Sequence, residues 1–238
     1  MKVLLFVSAL LLISVFSNES GESYERYDLG TGTVRGTLFD YLQHKTADDQ
    51  INLPSNHVLE LGMAGYKKLI QKSLVHKTSI ITIIDFSLPS DRERMWVIDI
   101  VKGKVLFHCL VAHGRNSGGL YAENFSNVPG SYTSSPGFYL TDDIYYGKHG
   151  MSLYLDGLEK GINDKARERA IVMHGADYVS KSFVENYGRL GRSHGCPAIP
   201  LGLHKDIIKT IHGGSCLYIH APNDLYVMHS PILGSLEL

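Results

Sequence analysis

The sequence predicts a mainly β fold of the α+β type, with a few capping helices and a small helical segment ahead of the β region. Three observations predict it: short apolar, β-branched runs recur from residue 78 onward, turn residues separate them, and helix periodicity is confined to brief stretches. The chain has 238 residues, of which 44% are hydrophobic, enough for one sizeable core or two small ones. Its 23 basic and 24 acidic residues nearly balance, and no Lys/Arg run occurs. Phosphate binding needs a clustered basic excess, so a nucleic-acid partner is not expected.

The elements follow in order. Residues 1–17, "MKVLLFVSALLLISVFS", pair a basic Lys2 with an apolar core from Val3 to Phe16 and small or β-branched residues at Val15 and Ser17. This reads as a signal peptide, because the run is shorter than the roughly 20 residues needed to span a bilayer. No stable membrane insertion is expected after its removal. The polar, Gly-rich residues 18–34 read as a linker, and 35–77 as an N-terminal helical segment. Within it a helix is expected from about 55 to 73, capped by Ser55, with Leu59, Met63, Tyr66 and Ile70 on one face.

From "SIITIIDFS" the pattern turns to strands. "MWVIDIV" and "KVLFHCLVAHG" flank Lys102 and Gly103, a hairpin signal, and "GFYLT", "SLYLDG", "RAIVMHG" and "CLYIHAP" continue the series. "INDKARER" and "LHKDIIKTIHGG" read as helices, the second stopped by Gly213 and Gly214. The result is a mainly antiparallel β domain over 78–222, followed by a C-terminal extension, 223–238.

The chemistry concentrates in "GRLGRSHGCPAIP", residues 188–200. Outside the cytoplasm thiols tend to pair, so an odd count of three cysteines leaves at least one to be explained. Cys109 and Cys216 fall in strand-like apolar runs, where a small buried thiol needs no further role. Cys196 lies in a turn of Gly, Ser, His and Pro. "RAIVMHG" delivers His174 at a strand end, and the intervening loop is long enough to bring His174 beside Cys196. A thiol attacks as thiolate and titrates near pH 8.5, so it needs such a base. Gly195, just before Cys196, lets the main chain approach a substrate carbonyl and offer N–H groups to an oxyanion.

"HG" followed by "SHGC" resembles the signature of the YkuD-type L,D-transpeptidases, cysteine enzymes that cross-link bacterial peptidoglycan. The blocks "VAHGRNSGG", "FSNVPGSYTSSPG", "SLYLDGLEKGINDKARERAIVMHGADYVS" and "GRLGRSHGCPAIP" extend the resemblance over residues 79–222. It implies an L,D-transpeptidase-like β-sandwich or barrel, Cys196 as nucleophile and His174 as base, with the carbonyl of Gly175 orienting the imidazole. It also implies that His194 is the second histidine of the signature, that Gly195 and Cys196 supply oxyanion N–H groups, and that Ser193 braces the turn. Many members of the wider family carry an arginine two residues after the nucleophile, where this chain has Ala198; Arg192 or Arg189 is then the substitute for binding a substrate carboxylate.

The expected function is an exported murein L,D-transpeptidase in the periplasm or cell envelope, acting on peptidoglycan stem peptides without a cofactor. L,D-carboxypeptidase activity and an inactive wall-binding module are the alternatives. A zinc site built from His174, His194 and Cys196 lacks a second paired ligand motif. A sortase-like enzyme expects Thr-x-Thr-Cys and a later arginine, and a papain-like peptidase has Cys first. His113 reads as structural, since no second nucleophile pairs with it.

Overall fold

The strand runs read from the sequence pair into a single sheet. In the computed structural model, which describes residues 53–222 and 224–234, eight strands take the order β3-β2-β1-β8-β4-β5-β6-β7. They are β1 (Ile80–Asp85), β2 (Met95–Asp99), β3 (Lys104–Cys109), β4 (Gly137–Gly147), β5 (Gly150–Gly157), β6 (Val172–Ala176), β7 (Ala198–Pro200) and β8 (Cys216–His220). The signal-peptide and linker expectations, residues 1–34, and the segment up to residue 52 lie outside the described residues.

The sheet is mixed. Five neighbouring pairs run antiparallel, as the sequence suggests, but β1 with β8 and β6 with β7 run parallel. Parallel neighbours require a crossover. The chain leaves β6 through α2 (Lys181–Tyr187), a helix the sequence reading missed, and leaves β7 through α3 (His204–Ile211). The first crossover creates the site, since it returns the cysteine turn alongside the histidine strand.

Both faces of the central strands are covered, which explains the unbroken apolar run "IITIID". Ile80 and Ile84 point into one cluster with Met95, Val97, Leu153, Met173, Ile199 and Ile211. Ile81 and Ile83, on the opposite face by the two-residue period, join a second cluster with Leu59, Tyr66, Trp96, Phe138 and Tyr218. Leu59 and Tyr66 belong to α1 (Asn56–Gln71), where Ser55 accepts a bond from Val58 N at 3.4 Å as N-cap. The short α4 (Asp224–His229) docks through Tyr226, whose hydroxyl donates to the buried Glu159 carboxylate at 3.0 Å.

One helix expected from the sequence is not formed. Residues 162–169 make a succession of turns, in which Ala170 N donates to Arg167 O and Ile171 N to Ala166 O. Local side-chain bonds divert the backbone: Asn163 Oδ1 accepts from Glu159 N at 2.9 Å and Asp164 Oδ1 from Gly161 N at 2.8 Å. Asn and Asp compete with helix hydrogen bonding in this way.

The two edges of the sheet meet. Beyond β3, Ala112 N donates to Ala198 O at 2.8 Å and Ala198 N to Ala112 O at 3.3 Å, while Ser193 N donates to His113 O at 3.0 Å and Arg115 N to Ser193 O at 2.8 Å. The sheet is therefore barrel-like and nearly closed, and its seam runs beside Cys196. Buried Arg94 holds this seam: its Nε and Nη2 donate to Val111 O at 3.1 and 2.9 Å, and Nη2 lies 2.9 Å from His113 Nδ1. Burial and the Arg94 charge push His113 down to about 4, so it stands neutral as a seam residue.

Candidate active site

β6 positions His174 by pairing on both sides, with Ser152 of β5 antiparallel and Ala198 of β7 parallel. His174 is 3% exposed, and its Nδ1 lies 3.1 Å from Gly175 O. With the proton on Nδ1 donated to that carbonyl, Nε2 is left as the proton acceptor. Burial lowers the imidazole pKa from its ordinary value; the Gly175 carbonyl opposes this, and the charges of His149, Lys148 and His204 add to the lowering. Gly175 itself allows a close approach, because a Cβ there would lie 2.7 Å from His204 Cγ.

The turn before β7 carries the thiol. Ser193 Oγ donates to Cys196 O at 2.6 Å and accepts from Gly195 N at 3.1 Å, so one hydroxyl ties both ends of the turn. Gly195 has φ +119°, and a Cβ there would meet Thr133 O at 2.6 Å, so only glycine fits. Ser134 Oγ donates to Gly195 O at 3.1 Å and accepts from Gly114 N at 3.0 Å, locking the turn to the seam.

Cys196 is half-buried, and its Sγ lies 3.7 Å from Ala170 O. Burial raises the thiol pKa; the Val172 N–H and the positive charges of Arg169 and Lys148 act against it. At neutrality the two groups are a thiol and a neutral imidazole, which favours proton transfer during attack over a standing ion pair.

The remaining expected residues have other partners. His194 is exposed, with its ring 4.5 Å from Tyr132, and Arg115 covers the Tyr132 ring at 4.1 Å. Arg192 donates to Arg115 O at 3.2 Å and Gly118 O at 3.0 Å, and Arg189 to Leu190 O at 2.7 Å. Among the described residues no group of three or more His, Cys, Asp or Glu is placed to hold a metal ion.

Sequence reasoning missed three groups. Arg169 directs four bonds into the 126–135 loop, to Ser126 O, Ser135 Oγ, Ser131 Oγ and Thr133 O, at 2.8, 2.5, 3.3 and 2.6 Å. His149 stacks on His174 at 4.4 Å, and Lys148 adjoins it. The only sequence signal for Arg169 is its place at the head of "RAIVMHG"; for the hairpin tip there is none.

The family model for the L,D-transpeptidase catalytic domain matches residues 51–220, and the chain belongs to that family. Three solved structures resemble it. An L,D-transpeptidase from Mycobacterium smegmatis is 12% identical, with 60% of this chain and 59% of that one covered at a TM-score of 0.38. An L,D-transpeptidase from Stackebrandtia nassauensis is 14% identical, with 83% and 96% covered and a TM-score of 0.37. The helical cell shape determining protein Pgp2 from Campylobacter jejuni is 13% identical, with 61% and 48% covered and a TM-score of 0.40. The chain thus spans about six-tenths of the Mycobacterium smegmatis protein. Curated proteins give no match.

Proposed function

We propose that this chain is an exported murein L,D-transpeptidase of the periplasm or cell envelope, with Cys196 as nucleophile and His174 as general base. The observation that carries the reading is a half-buried thiol on a glycine-preceded turn, one strand away from a histidine whose Nδ1 is engaged by Gly175 O, in a chain of the L,D-transpeptidase family. No helix among the described residues is long and apolar enough to cross a membrane.

In the proposed reaction Cys196 Sγ attacks the carbonyl of the L-centre residue in a tetrapeptide stem while His174 Nε2 takes the thiol proton. The carbonyl oxygen becomes an oxyanion, held by the Cys196 N–H and by the Gly195 N–H once Ser193 Oγ releases it. His174 then returns the proton to the nitrogen of the terminal D-alanine as the C–N bond breaks, leaving a thioester. An amine of a neighbouring stem attacks the thioester, loses a proton to His174 and restores the thiol, giving a 3→3 cross-link. If water takes the place of the amine, the product is a tripeptide and the enzyme is an L,D-carboxypeptidase. Neither step draws on a cofactor.

The segment from Arg115 to Gly137 lies against the turn through Ser134 and Tyr132, where it would hold the acceptor and limit water. The test is incubation with purified tetrapeptide stems and mass spectrometry of the products. Cross-linked dimer together with tripeptide is the expected result. Tripeptide alone at every acceptor concentration leaves the carboxypeptidase, and an intact tetrapeptide leaves a wall-binding module.

A further inference from the structure

The β4–β5 hairpin reaches beyond the sheet it belongs to and ends beside the reactive pair. Its strands pair as far as Gly147 opposite Gly150, and Gly150 takes φ +72°, so Lys148 and His149 form the tip. The body of the hairpin is braced. Arg167 pairs with Asp142 of β4 and with Asp156 of β5, the latter at 2.8 and 2.7 Å, and covers Tyr154 at 4.4 Å; Tyr154 in turn stacks on Tyr145 at 4.3 Å. At the tip, the His149 ring rests on His174. Lys148 is the adjoining residue of the tip, so its long, flexible side chain is anchored close to the same histidine.

Lys148 is exposed, and among the described residues nothing hydrogen-bonds or ion-pairs with it. The other cations nearby are committed elsewhere. The Arg169 terminal nitrogens are spent on the 126–135 loop, Arg192 donates to two carbonyls and Arg115 covers Tyr132. At the position two residues after the thiol stands Ala198, which carries no charge.

We propose that Lys148 is the anion reader of this active site: it pairs with the free carboxylate of the residue that Cys196 displaces, and so restricts the enzyme to the last residue of a peptide. This rests on the peptide-acyl-transfer reading above and specifies its substrate as one with a free C-terminal carboxylate. The leaving residue is an α-amino acid, whose nitrogen and carboxylate are attached to one carbon and lie within roughly 4 Å of each other. Its nitrogen must touch His174 to receive a proton, so its carboxylate falls at the edge of that imidazole. Lys148, next to the ring stacked on that imidazole, is tethered within reach of this place, and its charge bears on both His174 and Cys196. An internal peptide bond has no carboxylate at that place and leaves Lys148 unpaired.

The test uses the intact protein and two probes. Iodoacetate and iodoacetamide react with the same thiol and differ in charge, so the ratio of their rates at Cys196 reads the local cation without any enzymatic turnover. Lys148→Ala should lower the iodoacetate/iodoacetamide ratio by ~3-fold or more, and Lys148→Arg should keep it near the parent value. With tetrapeptide stems, Lys148→Ala should raise KM by ~10-fold, and should raise it far less for the C-terminally amidated peptide. A ratio unmoved by Lys148→Ala, or equal KM effects on free and amidated peptides, overturns the assignment. If the parent protein consumes neither peptide, the acyl-transfer reading fails, and the alkylation ratio still decides whether Lys148 reads anions at the thiol.

Discussion

The imidazoles of His149 and His174 stack with centroids 4.4 Å apart and planes 22° from parallel, so the proposed base is covered by a ring from a different strand pair. A second imidazole at that distance disfavours protonation of the first, in addition to the burial that dominates the shift.

The pH dependence of acylation follows. The His174 pKa lies below 6.5, so its neutral, proton-accepting form persists as pH falls past that value and is lost only lower. The Cys196 pKa lies above its ordinary value, so the thiolate in the free protein grows only on the alkaline side. Iodoacetamide alkylation of Cys196 should therefore climb steadily through pH 7 to 9. A rate already at plateau at pH 6 would show a standing thiolate–imidazolium pair and contradict this. His149→Ala, which removes one of the opposing charges, should move the acid limb of peptide acylation to higher pH.

The three thiols should separate cleanly by reactivity. Burial pushes Cys109 up to about 12 and drives Cys216 upward as well, whereas Cys196 sits half-buried on a turn. Under native, non-reducing conditions iodoacetamide should modify Cys196 well ahead of the other two, as read by peptide mapping. Equal modification of all three would refute the burial argument.

The two histidines of the signature should differ. His174→Ala should lower acylation by ~10²–10⁴-fold, the loss typical of a positioned general base. His194 is exposed and packs on Tyr132, so His194→Ala should cost less. Single-turnover acylation of folded variants decides between them, and a larger defect in His194→Ala would reverse the roles.

Gly195→Ala should damage the turn more than the fold. The added methyl would meet Thr133 O at 2.6 Å, and φ +119° is unfavourable for any side chain. The expected stability loss is ~1–3 kcal/mol by chemical denaturation, with alkylation of Cys196 altered even where the protein remains folded.

Much of this was legible in the chain. The strands were legible because short β-branched runs such as "IITIID" favour extended backbone, and α1 because Ser55, Leu59, Met63 and Tyr66 obey both capping and periodicity rules. Cys196 stood out because a cysteine between Gly195 and Pro197 cannot belong to a packed strand. The "INDKARER" stretch misled because its composition suits a helix, while the bonds of Asn163 to Glu159 N, Pro136 O and Phe138 O depend on β4 and on a tight turn. Lys148, His149 and Arg169 carry no pattern of their own. Their proximity to the thiol is a product of strand register and barrel closure, neither of which is written locally.

The seam between Ala112 and Ala198 also has a bearing on when the protein becomes reactive. These residues are far apart along the chain, and closing so long a loop costs entropy that only the completed pairing returns. Contacts of that separation slow folding and depend on the elements between them being in place. A nascent or partly folded chain therefore carries a thiol without its turn, without Ser134 on Gly195 and without an imidazole beside it. Completion of the barrel is therefore the event that assembles the thiol, its turn and the imidazole in one place.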